Sequence, residues 1–313
     1  MRGLATSPAA RGLMDDAALL DWPEGALVLT HDMLVEGVHF LPEDPAETVA
    51  WKLCAVNMSD LNAKGATPLG ILMGYGMTGD RTWDARFAEG LGKVLDHFGA
   101  PLLGGDTVRM PAGGPRTLGL TAIGAAPACG APSRAGARPG DLLLTTGAIG
   151  DAGAGLALLQ ERREAPEDAR APLIAAYRQP QPPVTLGPVL APLVTAMADI
   201  SDGLLIDADR IARASGVIVD LDLANMPLSP AFIAACGNGT ASRFAAATAG
   251  DDYQLLFTAA PDRLPALRDL CEAKSVALTV LGRCEAGPAA GLLLNDAGAP
   301  VPLPERLGYE HGK

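Results

Sequence analysis

The sequence predicts an α+β protein of two domains, a mixed strand-and-helix unit followed by a more regularly alternating α/β unit. Three observations predict it. The chain has 313 residues, 49% of them apolar, which is enough for two cores. Its apolar positions switch repeatedly between strand-like and helix-like spacing. A Pro/Gly/Ala-rich stretch ends in R-A-G-A-R-P-G-D at 134–141, just before a fresh apolar run. That places a junction near Ala137 and divides the chain into 1–137 and 138–313.

In the first unit, the apolar run at 26–30 predicts a strand that delivers Asp32 just past its end. Asp44, Pro45 and Glu47 predict a helix start, as N-cap, N1 and a first-turn acid. That helix continues through Val49, Leu53 and Val56 and stops near Gly65, with Pro68 beyond. On it Asn57, Asp60 and Lys64 fall at i, i+3 and i+7, a polar stripe on an otherwise apolar element. Trp83, Phe87, Leu91, Leu95 and Phe98 predict a second helix, closed by Gly99 and Pro101. Leu102 and Leu103 lead into Gly104-Gly105-Asp106, and 118–123 reads as a further strand.

In the second unit, 142–146 predicts a strand, followed by a Gly-rich turn at 147–151 and a helix through Gln160. A Pro-rich stretch (Pro180, Pro182, Pro183, Pro188) precedes Asp199. A helix through Ile211 then leads to strands expected at 217–223, 253–258 and 276–281.

The charge is −12 and the pI about 4.7, which excludes a nucleic-acid partner, because phosphate backbones reward Lys/Arg surfaces. Five scattered cysteines without a C-x-x-C pair argue against a disulfide framework or zinc site and for a reducing compartment. No apolar run reaches the roughly 18–20 residues of a membrane span. The first fourteen residues lack the apolar core of a secretory signal. The cytoplasm is the expected location.

The acidic excess is specifically an excess of the short carboxylate, 24 Asp against 12 Glu. These aspartates recur beside glycines and small residues: Asp15-Asp16, Thr30-His31-Asp32, Ser59-Asp60, Gly105-Asp106, Asp199-Ile200-Ser201-Asp202-Gly203 and Gly250-Asp251-Asp252. Taken singly, each reads as a turn or cap. Taken together they flank apolar elements, where ligands for a hard, oxygen-seeking cation are held rigidly. Each Mg²⁺ takes one or two carboxylates plus phosphate oxygens, so a polyphosphate carrying several ions needs several Asp. The chain therefore reads as a Mg²⁺-dependent handler of phosphates. It has no G-x-x-x-x-G-K-[ST] loop, no strand-linked G-x-G-x-x-G with a downstream acid, and no G-x-S-x-G elbow. Gly147 to Gly155 could cradle phosphate at a helix N-terminus or be a plain strand-to-helix turn. His97 reads as structural. An ionised phosphate acceptor needs no catalytic base or nucleophile, and none is assigned.

Seven motifs in order resemble those of the thiamine-monophosphate kinase family, from about residue 13 to residue 309. They are D-D-A-A at 15–18, D-M-L-V-E-G-V-H-F at 32–40, N-M-S-D-L-N-A-K-G-A-T-P at 57–68, G-G-D-T at 104–107, S-R-A-G-A-R-P-G-D at 133–141, D-I-S-D-G-L at 199–204 and G-D-D-Y-Q-L-L-F-T at 250–258. The resemblance implies a PurM-like architecture, with an N-terminal mixed-sheet domain that dimerises and a C-terminal α/β sandwich domain. It implies direct transfer of the ATP γ-phosphoryl group to thiamine monophosphate, with several Mg²⁺ ions and tolerance for K⁺-like ions. It places Asp16, Thr30, His31, Asp32, Asp60, Asp106, Asp199 and Asp202 at metal positions. Gly105, Asp106, Arg134 and Ser201 fall at nucleotide positions, and His39, Asp251 and Tyr309 at the acceptor. Departures are His31 for the usual Thr, Met14 for a Gly, Asp251 for a Glu, and a shortened N-terminal helix. Two other readings stand beside it: an ATP-dependent ligase or synthetase of the same superfamily, and a non-enzymatic acidic regulator.

Overall fold

The computed structural model describes residues 18–22 and 25–310. The first unit is a five-stranded sheet formed by β1 (Ala18–Trp22), β2 (Gly25–Val35), β3 (Thr67–Met77), β4 (Leu102–Arg109) and β5 (Thr117–Ala125), in the order β1-β2-β5-β3-β4. Neighbours are antiparallel except β3 and β4, which run parallel. Helix α2 (Arg81–Phe98) makes that parallel crossover. It follows the predicted apolar stripe and ends at Gly99 in the left-handed conformation (φ 64°). His97 packs against Trp51, ring centroids 4.9 Å apart, a structural role as expected. Along β2, Val28, Thr30 and Leu34 are buried while His31 and Met33 face outward.

Helix α1 (Ala46–Ala63) buries 14 of its 18 residues, so it is enclosed on all sides rather than lying on a surface. Leu53, Cys54 and Met58 join the core of the first sheet, whereas Ala63 joins a core of the second unit. Burial pushes the Cys54 thiol up to about 12.

The second unit contains β6 (Leu142–Thr146), α3 (Asp151–Leu159), α4 (Glu167–Arg178), α5 (Gly187–Leu190), β7 (Ala196–Asp199), α6 (Leu204–Ser215), β8 (Ile218–Asp222), α7 (Pro230–Cys236), α8 (Thr240–Thr248), β9 (Leu255–Ala259), α9 (Leu264–Ala273), β10 (Leu278–Glu285), β11 (Gly291–Asp296) and β12 (Ala299–Pro300). Its seven strands form one sheet in the order β12-β11-β8-β10-β6-β9-β7. Leu143 and Leu144 of β6 enter different core clusters. Both faces are therefore covered, which is why these strands read as continuous apolar runs. The sheet is mixed: β8 and β11 pair in parallel and the other pairs are antiparallel.

Two local expectations are corrected, and two elements are added. Asp32 lies inside β2, paired with Leu120, because β5 supplies ladder partners as far as Val35. Asp44 does not cap α1. Pro45 occupies that position, and Asp44 accepts from Leu41 N at 2.8 Å and from Arg178 Nε at 2.7 Å. Strand β3, with glycines at 70, 74 and 76, and helix α4, with Pro172 inside it, carry breaker residues that hid them from the sequence pattern.

Candidate active site

Between the two units lies a cleft of about 730 Å³. Its walls come from β2 and the loop after it, from α1, from the loop after β7, and from the segment before β9. Asp32, Asp60, Asp199, Ser201 and Asp202 line it, together with His39, Asp251 and Tyr309. Residues separated by more than 270 positions thus meet at one surface.

Three of these aspartates are tied from behind, two by the carboxylate and Asp32 by its main chain. The hydroxyl of Thr30 donates to Asp60 Oδ2. Ser59 Oγ donates to Asp199 Oδ2 at 2.6 Å, a contact from α1 to the end of β7. Asn57 Oδ1 accepts from the Asp32 N–H at 3.1 Å. The polar stripe of α1 therefore sorts by depth: Asp60 opens on the cleft, Asn57 supports the β2 main chain, and Lys64 Nζ donates to Met197 O at 3.0 Å.

The loop carrying Ser201 and Asp202 is organised by the helix it precedes. Asp207, fully buried in the first turn of α6, accepts from the N–H groups of Ser201 and Asp202 at 3.2 and 3.1 Å. Arg210 bridges Asp207 at 2.7 Å and Asp202 at 2.6 Å. Gly203 turns the chain between them at φ 129°, where a side chain would be strained.

At the other end, Asp251 Oδ2 accepts from Lys52 Nζ at 2.6 Å and Asp251 Oδ1 from Tyr253 OH at 3.0 Å. His39 Nδ1 accepts from Val35 N at 3.1 Å. Burial, reinforced by the negative field of Asp251, Asp32 and Asp199, pushes the Tyr253 hydroxyl well above its ordinary value. One phenol thus senses carboxylates from three separate motifs. Asp252 is absent from the cleft lining: both its oxygens accept from Gly150 N, at 2.9 and 3.0 Å, and burial raises its carboxyl well above the usual range.

Not every expected residue reaches this cleft. His31 faces outward from β2, with Nδ1 2.8 Å from Thr121 Oγ1, because alternate residues of a strand take opposite faces. Gly105 and Asp106 lie on the exposed edge strand β4 and are absent from the cleft lining. The register runs Asp32 to Leu120, Leu120 to Met73, and Met73 to Gly105, three strand spacings or roughly 14 Å. Gly105 must be glycine: a Cβ there would meet Met73 O at 2.0 Å. Arg134, whose carbonyl accepts from Ser215 Oγ at 2.8 Å, also lies outside the lining. Asp16 lies outside the described residues. Among the described residues no three His, Cys, Asp or Glu side chains form a closed metal cage. Sequence reasoning missed Lys52 and Tyr177, and gave no role to Ser59 and Tyr253 within their motifs. The available signals were a lysine on the apolar stripe of α1 and a serine beside Asp60.

The geometry defines a class of protein: two sheet units with a carboxylate-lined cleft between them. Residues 14–126 match the family model described as AIR synthase related protein, N-terminal domain, and residues 138–295 match its C-terminal counterpart. The fold is thus the two-domain PurM-like one. A thiamine-monophosphate kinase of Caulobacter vibrioides is 39% identical over 97% of this chain and 86% of its own length; the enzyme of that name from Escherichia coli is 37% identical over 96% and 91%. The chain belongs to the thiamine-monophosphate kinase family. Among solved structures, one described as AaThiL complexed with AMPPCP and TMP superposes with a TM-score of 0.83 at 30% identity, over 95% of this chain and 91% of that one. The thiamine-monophosphate kinase of Stenotrophomonas maltophilia gives 0.79 at 33%, over 96% and 94%. The hydrogenase maturation protein HypE in complex with ATP, at 20% identity and TM-score 0.72, covering 96% of this chain and 91% of that one, shares the fold alone.

Proposed function

We propose that the protein transfers the γ-phosphoryl group of ATP to thiamine monophosphate, yielding thiamine diphosphate and ADP. An oxygen of the acceptor phosphate forms the new bond to the γ-phosphorus. The bond from that phosphorus to the β–γ bridging oxygen breaks, and its electron pair leaves with ADP. A phosphate monoester has already lost most of its second proton at pH 7, so no side chain is required as base. The single observation that carries this reading is the convergence of Asp32, Asp60, Asp199 and Asp202 on one cleft with His39, Asp251 and Tyr309.

The donor set fits Mg²⁺: it is all oxygen, and these carboxylates are spread along the cleft rather than closed into a cage. Asp32, Asp60, Asp199 and Asp202 would hold the ions, with Asp16 and Thr30 completing the set. Mg²⁺, when bound, neutralises the phosphate charge and aligns donor with acceptor. The supporting hydrogen bonds from Ser59 and Arg210 keep Asp199 and Asp202 in place, so the carboxylates need little rearrangement when substrates arrive.

Gly105, Asp106, Arg134 and Ser201 are assigned to the nucleotide, and His39, Asp251 and Tyr309 to the acceptor. The edge strand β4 presents Leu102, Leu103 and Val108, with Leu69 and Leu72 beside it, all 40% or more exposed. An unpaired apolar edge of this kind invites a second copy, and a homodimer through this sheet would bring Asp106 to the interface. The domain boundary falls at 137/138, K⁺-like ions are tolerated, and the protein works in the cytoplasm. Among the described residues no helix is long and apolar enough to cross a membrane.

The purified protein, given ATP, Mg²⁺ and thiamine monophosphate, is expected to form thiamine diphosphate, and a chelator should abolish this. ADP release that does not depend on thiamine monophosphate would instead favour a ligase or synthetase of the superfamily.

A further inference from the structure

The acceptor end of the cleft is gathered by a side chain that belongs to none of the aspartate motifs. Lys52, on α1, is 2% exposed. Its Nζ donates to Asp251 Oδ2 at 2.6 Å and to the main-chain carbonyl of His39 at 3.1 Å. The same ammonium sits 4.0 Å above the ring centroid of Tyr177, within cation–π range. His39, Tyr177 and Asp251 all line the cleft, whereas Lys52 does not. One buried cation behind the wall thus joins three chain segments that form its front.

The Asp251 segment needs such a tether. Asp251 and Tyr253 have φ of 70° and 50°, a region that residues other than glycine seldom enter and leave unless their surroundings hold them. Two main-chain bonds contribute, Asp251 N to Ser201 O and Tyr253 N to Ile200 O, each 2.8 Å. Lys52 and Tyr253 OH then engage the two carboxylate oxygens separately, so the carboxylate has a defined rotation about its χ angles. A buried ammonium is expensive unless well paired, and an apolar side chain would serve packing alone. Here Asp251, the His39 carbonyl and the Tyr177 ring, which surround the cation, all belong to residues that line the cleft.

We propose that Lys52 is a positioning residue for the acceptor: it sets the orientation of the Asp251 carboxylate, the His39 segment and the Tyr177 ring that thiamine monophosphate meets. This rests on the assignment of His39 and Asp251 to the acceptor. The test uses the full-length enzyme with ATP and thiamine monophosphate varied separately. Lys52→Met is expected to raise KM for thiamine monophosphate at least tenfold while KM for ATP stays within twofold. Lys52→Arg, which keeps a cation, should recover at least half of that loss. The double variant Lys52→Met/Asp251→Asn should lose less than the sum of the two single losses, because part of the lysine's effect runs through that carboxylate. Unchanged acceptor KM, or an equal rise in both KM values, overturns the role. If Lys52→Met does not fold, Tyr253→Phe releases the other oxygen of the same carboxylate. It should raise the acceptor KM several-fold and leave that for ATP unchanged, and no rise would overturn the role. Failure of the wild type to turn over thiamine monophosphate removes the acceptor assignment and the role together. Normal wild-type turnover with indifferent variants removes only the role of Lys52.

Discussion

Asp32 and Asp106 lie on one sheet, nearly in register across four strands, yet they meet different surroundings. Asp32 opens on the cleft with its backbone tied to Asn57, while Asp106 stands on an exposed edge with Oδ1 accepting from Thr107 N at 2.8 Å. With Asp32 holding metal and Asp106 serving the nucleotide, Asp32→Asn and Asp106→Asn should each reduce turnover by about 10²–10³-fold or more, with unchanged circular dichroism. Near-normal rates in both variants would refute those roles. Asp252 makes the opposite kind of prediction. Its folded pKa is raised by burial above an unfolded value near 3.9, so the folded state holds the proton more tightly. That contribution is complete below about pH 4 and declines as pH rises toward the folded value. Asp252→Asn keeps an oxygen acceptor for Gly150 N–H but cannot ionise. Urea unfolding between about pH 4.5 and 7.5 should therefore show a smaller loss of stability than in the wild type, and an identical slope would place its origin elsewhere.

Helix α1 determines how the two units sit together, because four of its polar side chains, Lys52, Ser59, Asn62 and, at its C-cap, Lys64, reach the second unit. Ser59 bonds Asp199, Lys64 bonds Met197 O, and Lys52 bonds Asp251. Near its C-terminal end, Asn62 Oδ1 accepts from Gly187 N at 2.7 Å, and a Cβ at Gly187 would meet Asn62 O at 1.9 Å. Asn62→Ala leaves a buried N–H without its acceptor, at a cost of about 1–3 kcal/mol. The expected result is a lower denaturant midpoint and a raised KM for both substrates, since the seam it weakens runs beneath the whole cleft. A stability loss confined to calorimetry, with both KM values unmoved, would show that the seam and the site are independent.

Across the whole molecule, the cleft draws on both sheets, and the outer face of the first sheet is left for something else. Leu103 is 57% exposed and Val108 51% exposed on β4. Replacing both with Asp should leave the interior packing of the first sheet intact, because neither joins its core. On the proposed dimer, sedimentation velocity should then change from dimer to monomer, with activity falling alongside if Asp106 acts at the interface. A wild type that sediments as a monomer would end that assignment.

The run of short aspartates beside small residues pointed to phosphate chemistry, the chemistry of the family to which the chain belongs, because ligand hardness is a property of residue type. Helix α2 and strand β6 were legible for a similar reason: apolar spacing and a terminal glycine act locally. Strand β3 was not, since its glycines depress strand propensity while β5 and β4 supply its ladders from elsewhere. Nor could local pattern tell His31 from Asp32, which one pleat sends to opposite faces, or reveal Lys52 as the cation behind Asp251, 199 residues away. Which carboxylates share a cleft, and which stand on an edge, depends on sheet order and on a helix buried between two units. Those are long-range packing outcomes, and no window of sequence contains them.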